Sequence, residues 1–451
     1  MRCACWLAVA LAALGWTADA RAQPYRVGTA RADITPTGPI WMSGYGNRNK
    51  PSEGVDHPLH VKALALAAGD GPPLVLVTAD IIGFPGSVSD AIARRAEAEL
   101  KLPRSHLLFV ASHTHTGPVI AGNLLGMFDL QGKDRAVVEE YTKDLQAKCF
   151  EVIAAAVKEL TPAQLSFARG RATFAVNRRV FRPNGVSFGV NPTGLVEHEV
   201  PVLRIDHPDG RVRAIVFGCA CHCTTLGGDH YRISGDYAGF AQDYLERAHP
   251  GATAFFVTGC GGDANPEPRG RLDFARQHGL ELAGAVRQAL RGPRTPITGP
   301  LRAVYDRVEL PLAKPPARAE FEKRLQDKNP FVRRHARYHL DLLDQGKPLM
   351  SSYPCPVQVW QLGKELTLIA IGGEVVVDYA YRLKREIKGG ELWVAGYAND
   401  VFAYVPSVRI LTEGGYEADF NLIYYGLPTR FSNDVEEVLV KKIHELVNKV
   451  R

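Results

Sequence analysis

The sequence predicts an α/β protein, a single large domain with a mixed β-sheet core flanked by helices. Apolar runs of strand length alternate along the chain with segments of helical period, giving a repeated β, α, β order. Several of those apolar runs end in loops rich in Gly, His or Asp, and open α/β sheets place ligands at the carboxyl ends of their strands. No internal repeat, low-complexity tract or linker divides the 451 residues, and 46% hydrophobic with 23% charged residues is enough to bury a large core.

Residues 1–22 read as a secretory leader: Arg2, an apolar stretch from Ala4 to Trp16, and small-residue cleavage sites around Ala18-Asp19-Ala20 and Ala20-Arg21-Ala22. That stretch is shorter than the about 20 residues of a membrane span, and no later segment is apolar enough to cross a bilayer. The mature protein, residues 23–451, is therefore expected to be secreted or periplasmic. "YRVGTARADITPTGPIWMSGYGNR" mixes short apolar stretches with Gly and Pro, as loops bordering short strands do. "ALALAAGDGPPLVLVTAD" carries two strands across a turn, Ser87–Leu100 is a helix, and "HLLFVASHTHTGP" is a buried strand running into a loop. Glu139–Leu160 is a second amphipathic helix. "VPVLRIDHPDGRVRAIVFGCACHC" is a hairpin about Pro208-Asp209-Gly210, Tyr237–Arg247 a helix, and "ATAFFVTGCGGDANP" a buried strand ending in a glycine-rich loop. Ala317–Gly346 is a charged helical stretch broken near Asn329-Pro330, "ELTLIAIGGEVVVDYAYRLKRE" reads strand, Gly-Gly turn, helix, and Val435–Arg451 is a basic amphipathic helix.

The formal charge of +6 comes from scattered Lys and Arg, without a basic run interleaved with aromatics, which argues against a nucleic-acid partner. Once the leader is removed, Cys149, Cys219, Cys221, Cys223, Cys260 and Cys355 remain; their pairing cannot be read from sequence, and free buried thiols are an equal alternative. Oligomeric state is not encoded in any feature of the chain.

In "CACHC" the alternation of a strand puts Cys219, Cys221 and Cys223 on one face and His222 on the other, so the four cannot easily bind one ion. The same alternation puts His113 and His115 of "ASHTHTGP" on one side, about 6–7 Å apart at Cα, close enough to share a site. One can ligate a metal while the other handles protons. His335 and His339 have the spacing of a metalloprotease helix, but the Glu after the first His is missing and Arg333, Arg334 and Arg337 oppose a cation. "GCGGDANP" lacks the Gly-Lys-Ser/Thr of a phosphate loop and reads as a tight turn presenting Asp263. Glu374 follows an apolar run and a Gly-Gly turn, a position that suits a ligand or base as well as a helix-start charge.

With "ASHTHTGP", "FAVNRRVF", "FGCACHCTT" before "SGDYAGF", "GCGGDANP", "IGGE" and "FAYVPSVRILTEGGYEAD" in this order, the chain resembles the catalytic domain of the neutral ceramidase family from about Val27 to Phe431. The resemblance implies an exported amidohydrolase that cleaves the N-acyl amide of ceramide or a related small-molecule or lipid N-acyl compound with water activated by one zinc ion per chain. It implies His113, His222, Glu374 and Tyr404 as zinc ligands, His115 as the catalytic base, and Arg178 and Tyr416, twelve residues beyond Tyr404, as donors to the substrate oxygen. Asp263 is expected to orient His115 or a ligand. The family's Gly-Asp-x-Ser/Thr-Pro-Asn motif here reads Gly262-Asp263-Ala264-Asn265-Pro266-Glu267, so the hydroxyl residue is absent, a loss compatible with attack by water and not by an acyl-serine. Full-length members carry a C-terminal β-sandwich domain, which a chain stopping at Arg451 is expected to lack. The rival readings are a zinc hydrolase of an unrelated ester, peptide or carbohydrate amide, and a catalytically silent scaffold.

Overall fold

The structure is a computed structural model that describes residues 25–451; the leader expected at residues 1–22 lies outside the described residues. Period-2 burial builds it. In His60–Ala67, Val61, Ala63 and Ala65 face one apolar layer while Leu64 and Leu66 face another, and Leu107–Ala111 divides in the same way. Strands buried on both faces require a partner on each side.

On one side the partner is helical. The large sheet runs, edge to edge, Thr253–Thr258, Val212–Cys219, Glu199–Asp206, Thr161–Arg171, Tyr25–Asp33, His60–Ala67, Leu74–Ala79, Leu107–Ala111, with Thr295–Ile297 added beside Thr161–Arg171. Helices Gly86–Leu100 and Gly132–Lys158 cover the outer face of one half, and Asp236–Ala248 and Leu272–Arg291 cover the other. On the inner side the partner is a second sheet, ordered Leu301–Pro311, Ser352–Leu362, Leu366–Ile371, Glu391–Ala395. Its Trp360, Leu362, Leu366, Leu368 and Trp393 meet Leu64, Leu76, Leu108, Leu203 and Val216 of the first sheet in one core. Helices Val377–Glu386 and Val435–Val450 close its outer face. The α/β class, the mixed β-sheet core and the flanking helices agree with the sequence reading, and the core consists of two sheets packed face to face between helical layers.

Parallel pairing sets where loops emerge. Leu74–Ala79 is parallel to Leu107–Ala111, Val212–Cys219 to Thr253–Thr258, and Leu366–Ile371 to Glu391–Ala395. Their carboxyl ends converge at one end of the sandwich, where single bridges Val110 to Ala398 and Gly259 to Ala395 stitch the two sheets together. Among the described residues no helix is long and apolar enough to cross a membrane.

Candidate metal centre and its cavity

The segments that follow the strands at this seam deliver the polar side chains. His113 lies two residues beyond Leu107–Ala111, in a left-handed conformation (φ 61°) that turns the chain so that His113 and His115 point the same way. His222 follows Val212–Cys219 by three residues. Glu374 and Tyr404 are direct register partners in a two-residue parallel pair, Glu374–Val375 with Tyr404–Val405, which sets the carboxylate beside the phenol. Tyr397, also left-handed (φ 55°), packs its ring 4.5 Å from that of His113. Backbone strain of this kind at two positions of one site marks the surrounding structure as the thing that enforces it.

The imidazoles are oriented from behind. His113 Nδ1–H donates to the Ile82 carbonyl at 2.5 Å and His222 Nδ1–H to the Gly261 carbonyl at 2.8 Å. Burial, and then Arg178, pushes the His222 imidazole down to about 4, so it is neutral near pH 7 and its Nε2 carries a lone pair. The Glu374 carboxylate faces both imidazoles. Its Oε2 lies 3.1 Å from His113 Nε2 and 2.9 Å from His222 Nε2. With both Nδ1 hydrogens committed elsewhere, lone pairs from the three residues face one another with no hydrogen between them. That arrangement is repulsive by itself and fits a divalent cation.

His113, His115 and His222 offer ligand atoms that all lie within 4.8 Å of one another and could hold a metal ion. The Tyr404 hydroxyl is 2.9 Å from His222 Nε2. The His115 Nε2 is 3.1 Å from His113 Nε2, while its Nδ1 is buried without a partner. Burial, followed by His113 and His222, keeps the His115 imidazole well below its ordinary range and therefore neutral. Arg178 is clamped through Nε on Glu417 at 2.8 Å, leaving Nη1 3.2 Å from His222 Nε2 and Nη2 donating to Tyr404 at 2.9 Å. The Tyr416 ring lies 5.4 Å from that of Tyr404 and its hydroxyl has no partner among the described residues.

These groups open into a cavity of about 540 Å³ lined by His115, Arg178, Tyr404, Tyr416 and Asn265 on the polar side and by Tyr45, Met127, Phe188 and Tyr424 on the apolar side. A cavity of this size with a few convergent polar groups has room for a small organic molecule or one end of a longer one.

Asp263 stands apart from this group. Its Oδ1 accepts from Val377 N at 3.0 Å and its Oδ2 from Asn177 Nδ2 at 3.2 Å, so it reaches neither His115 nor a candidate ligand side chain. Instead it starts the helix that follows Glu374, while its carbonyl accepts from Arg178 N. Burial raises its carboxyl to about 6. The glycine-rich loop around it is a packing device: a Cβ on Gly261 would sit 2.4 Å from Cys221 N, and one on Gly262 2.8 Å from the Glu374 carbonyl.

Cys219, Cys221 and Cys223 pack with Phe217 and Tyr237 in the apolar layer behind the site, on the side away from His222. The strand itself ends at Cys219, yet the alternation persists beyond it. All six cysteines among the described residues are free and buried. His335 Nε2 donates to the Leu427 carbonyl at 2.7 Å and lies 3.0 Å from His339 Nε2, and neither of these buried histidines lines the cavity. Sequence reasoning missed Tyr397 and Tyr425, whose hydroxyl donates to Glu374 Oε1 at 2.5 Å, and Arg48, which donates to the His115 carbonyl. None of these lies in a motif; only a buried arginine in "GYGNR" without a nearby acid was available as a hint.

The chain is similar to known proteins both in sequence and in fold. A family model described as neutral/alkaline non-lysosomal ceramidase, N-terminal, matches residues 25–292. The chain is 24% identical to the neutral ceramidase of Pseudomonas aeruginosa over 325 residues, 63% of this chain and 46% of that protein. It is 24% identical to neutral ceramidase A of Dictyostelium discoideum over 273 residues, 54% of this chain and 36% of that protein. The chain thus spans less than half the length of these curated relatives in the matched regions. The crystal structure of the Pseudomonas aeruginosa neutral ceramidase superposes with a TM-score of 0.73 at 18% identity, covering 94% of this chain and 74% of that one. A ceramidase complexed with C2 gives 0.72 at 18% identity, covering 94% and 76%.

Proposed function

The chain belongs to the neutral/alkaline non-lysosomal ceramidase family, and from that premise we propose that it is a zinc-dependent hydrolase of linear amides, with ceramide or a related N-acyl compound as its substrate. The observation that carries this reading is the set of facing lone pairs on His113, His222 and Glu374, which calls for a cation in their midst. His113, His222, Glu374 and Tyr404 would hold zinc, which supplies a Lewis acid for the scissile carbonyl and for water.

The protein's own groups account for the rest. Hydrolysis adds the water oxygen to the acyl carbon and returns a proton to the leaving nitrogen. His115, neutral and open to the cavity, takes the proton from water at Nε2 and delivers it to that nitrogen. Arg178, held rigid by Glu417, and the free hydroxyl of Tyr416 donate to the acyl oxygen as it gains charge, each such donor being worth about 3 kcal/mol. Asp263 acts at one remove by fixing the main chain of Arg178 and the helix after Glu374. The aromatic wall of Tyr45, Phe188, Tyr416 and Tyr424 suits an acyl chain. On the leader sequence alone, the mature protein works outside the cytoplasm.

One feature favours a different amide or an ester over ceramide: the cavity wall also carries Thr224, Asn265, Glu267 and Arg269, polar groups that a pure lipid would leave unpaired. The test is turnover of a short-chain N-acylsphingosine by the purified mature protein before chelation, after it, and after zinc is restored, with metal content measured alongside. We expect about one zinc per chain and activity lost and regained with it. Turnover that survives complete chelation, or survives His113→Ala, would sink the metal reading. A zinc-loaded protein inactive on N-acylsphingosine but active on peptides, esters or amino-sugar amides would replace the substrate.

A further inference from the structure

We propose that Asn265 is a further catalytic residue, whose side-chain Nδ2 donates a hydrogen bond to the carbonyl oxygen of the scissile amide; the inference rests on the amidase reading above. Asn265 stands where the family motif has a hydroxyl residue, and its position is fixed by the main chain. It lies in the short strand Ala264–Pro266, opposite Val176 of strand Ala175–Arg182, and the preceding Ala264 carbonyl accepts from His222 N at 3.1 Å. The side chain is therefore indexed both to the arginine strand and to a candidate metal ligand.

Its amide can face only one way. Arg178 Nη1 approaches one branch at 3.4 Å and the Thr224 hydroxyl approaches the same branch at 3.2 Å. A guanidinium has hydrogens to give and no lone pair to accept, so that branch is the oxygen. The other branch is the NH2 group. It makes no hydrogen bond among the described residues, and the side chain, 7% exposed, lines the cavity with His115, Arg178 and Tyr416. The free NH2 group thus belongs to a side chain that lines the space the substrate would fill.

The chemistry limits what such a group can do. An amide nitrogen has its lone pair delocalised, so it is neither a nucleophile nor an acid able to protonate a leaving amine. It can donate a hydrogen bond, and the atom that needs donors is the acyl oxygen as water adds to the carbon. Held by two neighbours before substrate arrives, the donor needs no reorganisation.

The test compares Asn265→Asp, Asn265→Leu and Asn265→Ser in the metal-loaded mature protein on a short-chain N-acylsphingosine. Asp keeps an oxygen for Arg178 and Thr224 but has no donor; Leu removes donor and charge together; Ser restores a hydroxyl donor. The expected result is a fall in kcat of about 100-fold in both Asp and Leu variants with KM within a few-fold, and a Ser variant within about 10-fold of the parent. Should Leu fail to fold, Asp and Ser carry the comparison, with thermal unfolding and zinc content as controls. If Asn265 only propped up Arg178, the Asp variant would keep parental kcat, and that result would overturn the inference while leaving the amidase reading intact. A zinc-loaded parent that hydrolyses no N-acyl amide would overturn both.

Discussion

Arg178 and Arg179 share one carboxylate across 239 and 238 residues of sequence: Glu417 accepts from Arg178 Nε at 2.8 Å and from Arg179 Nη1 at 2.6 Å, with all three side chains at most 5% exposed. Burying three ions is costly, and removing the central anion leaves two guanidiniums with Glu413, on Arg179, as their one remaining acid among the described residues. Glu417→Gln is expected to lower the unfolding free energy by about 3–5 kcal/mol and to loosen Arg178 against the cavity. Burial alone would raise the Glu417 carboxyl, but Arg178 and then Arg179 outweigh it and hold it below the usual range. Its contribution is accordingly full at neutral pH and fades as the pH falls below the ordinary carboxylate range, so the parent and variant denaturation curves should converge in acid. A loss under about 1 kcal/mol at pH 7 would show that the triad does not hold this corner. Local pattern made part of the residue scale legible: His222 parts from its three cysteine neighbours as strand alternation predicts, whereas His113 and His115 come together through the left-handed turn at His113, beyond the strand. Glu417, Tyr397 and Tyr425 were illegible because what places them is contact across the fold, which no local period records.

At the scale of elements, the loop 41–49 decides where the proposed base sits. Arg48 donates to the carbonyls of Ser43, His115 and His230 with no acid partner among the described residues, and Tyr45 meets the His115 ring edge to face at 4.9 Å. Gly44 is left-handed (φ 91°), and a Cβ there would lie 2.4 Å from His115 Nδ1. Gly44→Ala thus combines backbone strain with a collision against the imidazole, and the ring must move. We expect kcat to fall at least 10-fold while bound zinc is unchanged, since His113 and His222 are anchored elsewhere. Parental kcat in that variant would mean His115 tolerates displacement and is not the proton carrier. The sequence shows this loop only as Gly and Pro punctuation, because its role lies in what it touches. The helix at Gly86–Leu100, the hairpin about Asp209 and the break at Pro330 were legible from period and turn chemistry. Leu272–Arg291 went unread, although its buried Ala275, Leu282, Val286 and Leu290 follow a helical spacing, because the arginines between them obscure a stripe built largely of small residues.

For the whole molecule, what sequence leaves open is the partner of a strand's second face. Ile369 and Ile371 pack under helices while Leu366, Leu368 and Ala370 pack under the other sheet, and both sets read as one apolar run. The two-sheet arrangement matters because the seam between the sheets is where the site forms, and polar ties there hold the layers in register. Asp400 is one such tie. Its Oδ1 accepts from Gly86 N, at the head of the helix over the first sheet, and its Oδ2 from the Tyr353 hydroxyl of the second sheet, both at 2.8 Å. Burial raises its carboxyl from 3.8 to about 6; the bonds from Tyr353 and Gly86 and the charge of Arg307 offset only part of that, and Asp90 adds to it. A folded-state value above the unfolded one means that the stabilising contribution is complete below about pH 3.8 and is lost as pH rises through about 6. At neutral pH the protein carries the cost of a buried charge in exchange for the tie. Asn at this position cannot titrate. The unfolding free energy of Asp400→Asn relative to the parent should therefore shift in the variant's favour by up to about 3 kcal/mol between pH 4 and pH 7, read from urea denaturation at each pH. A difference that stays flat across that range would mean that Asp400 ionises as freely in the folded protein as in the unfolded chain, and that water reaches the seam between the sheets.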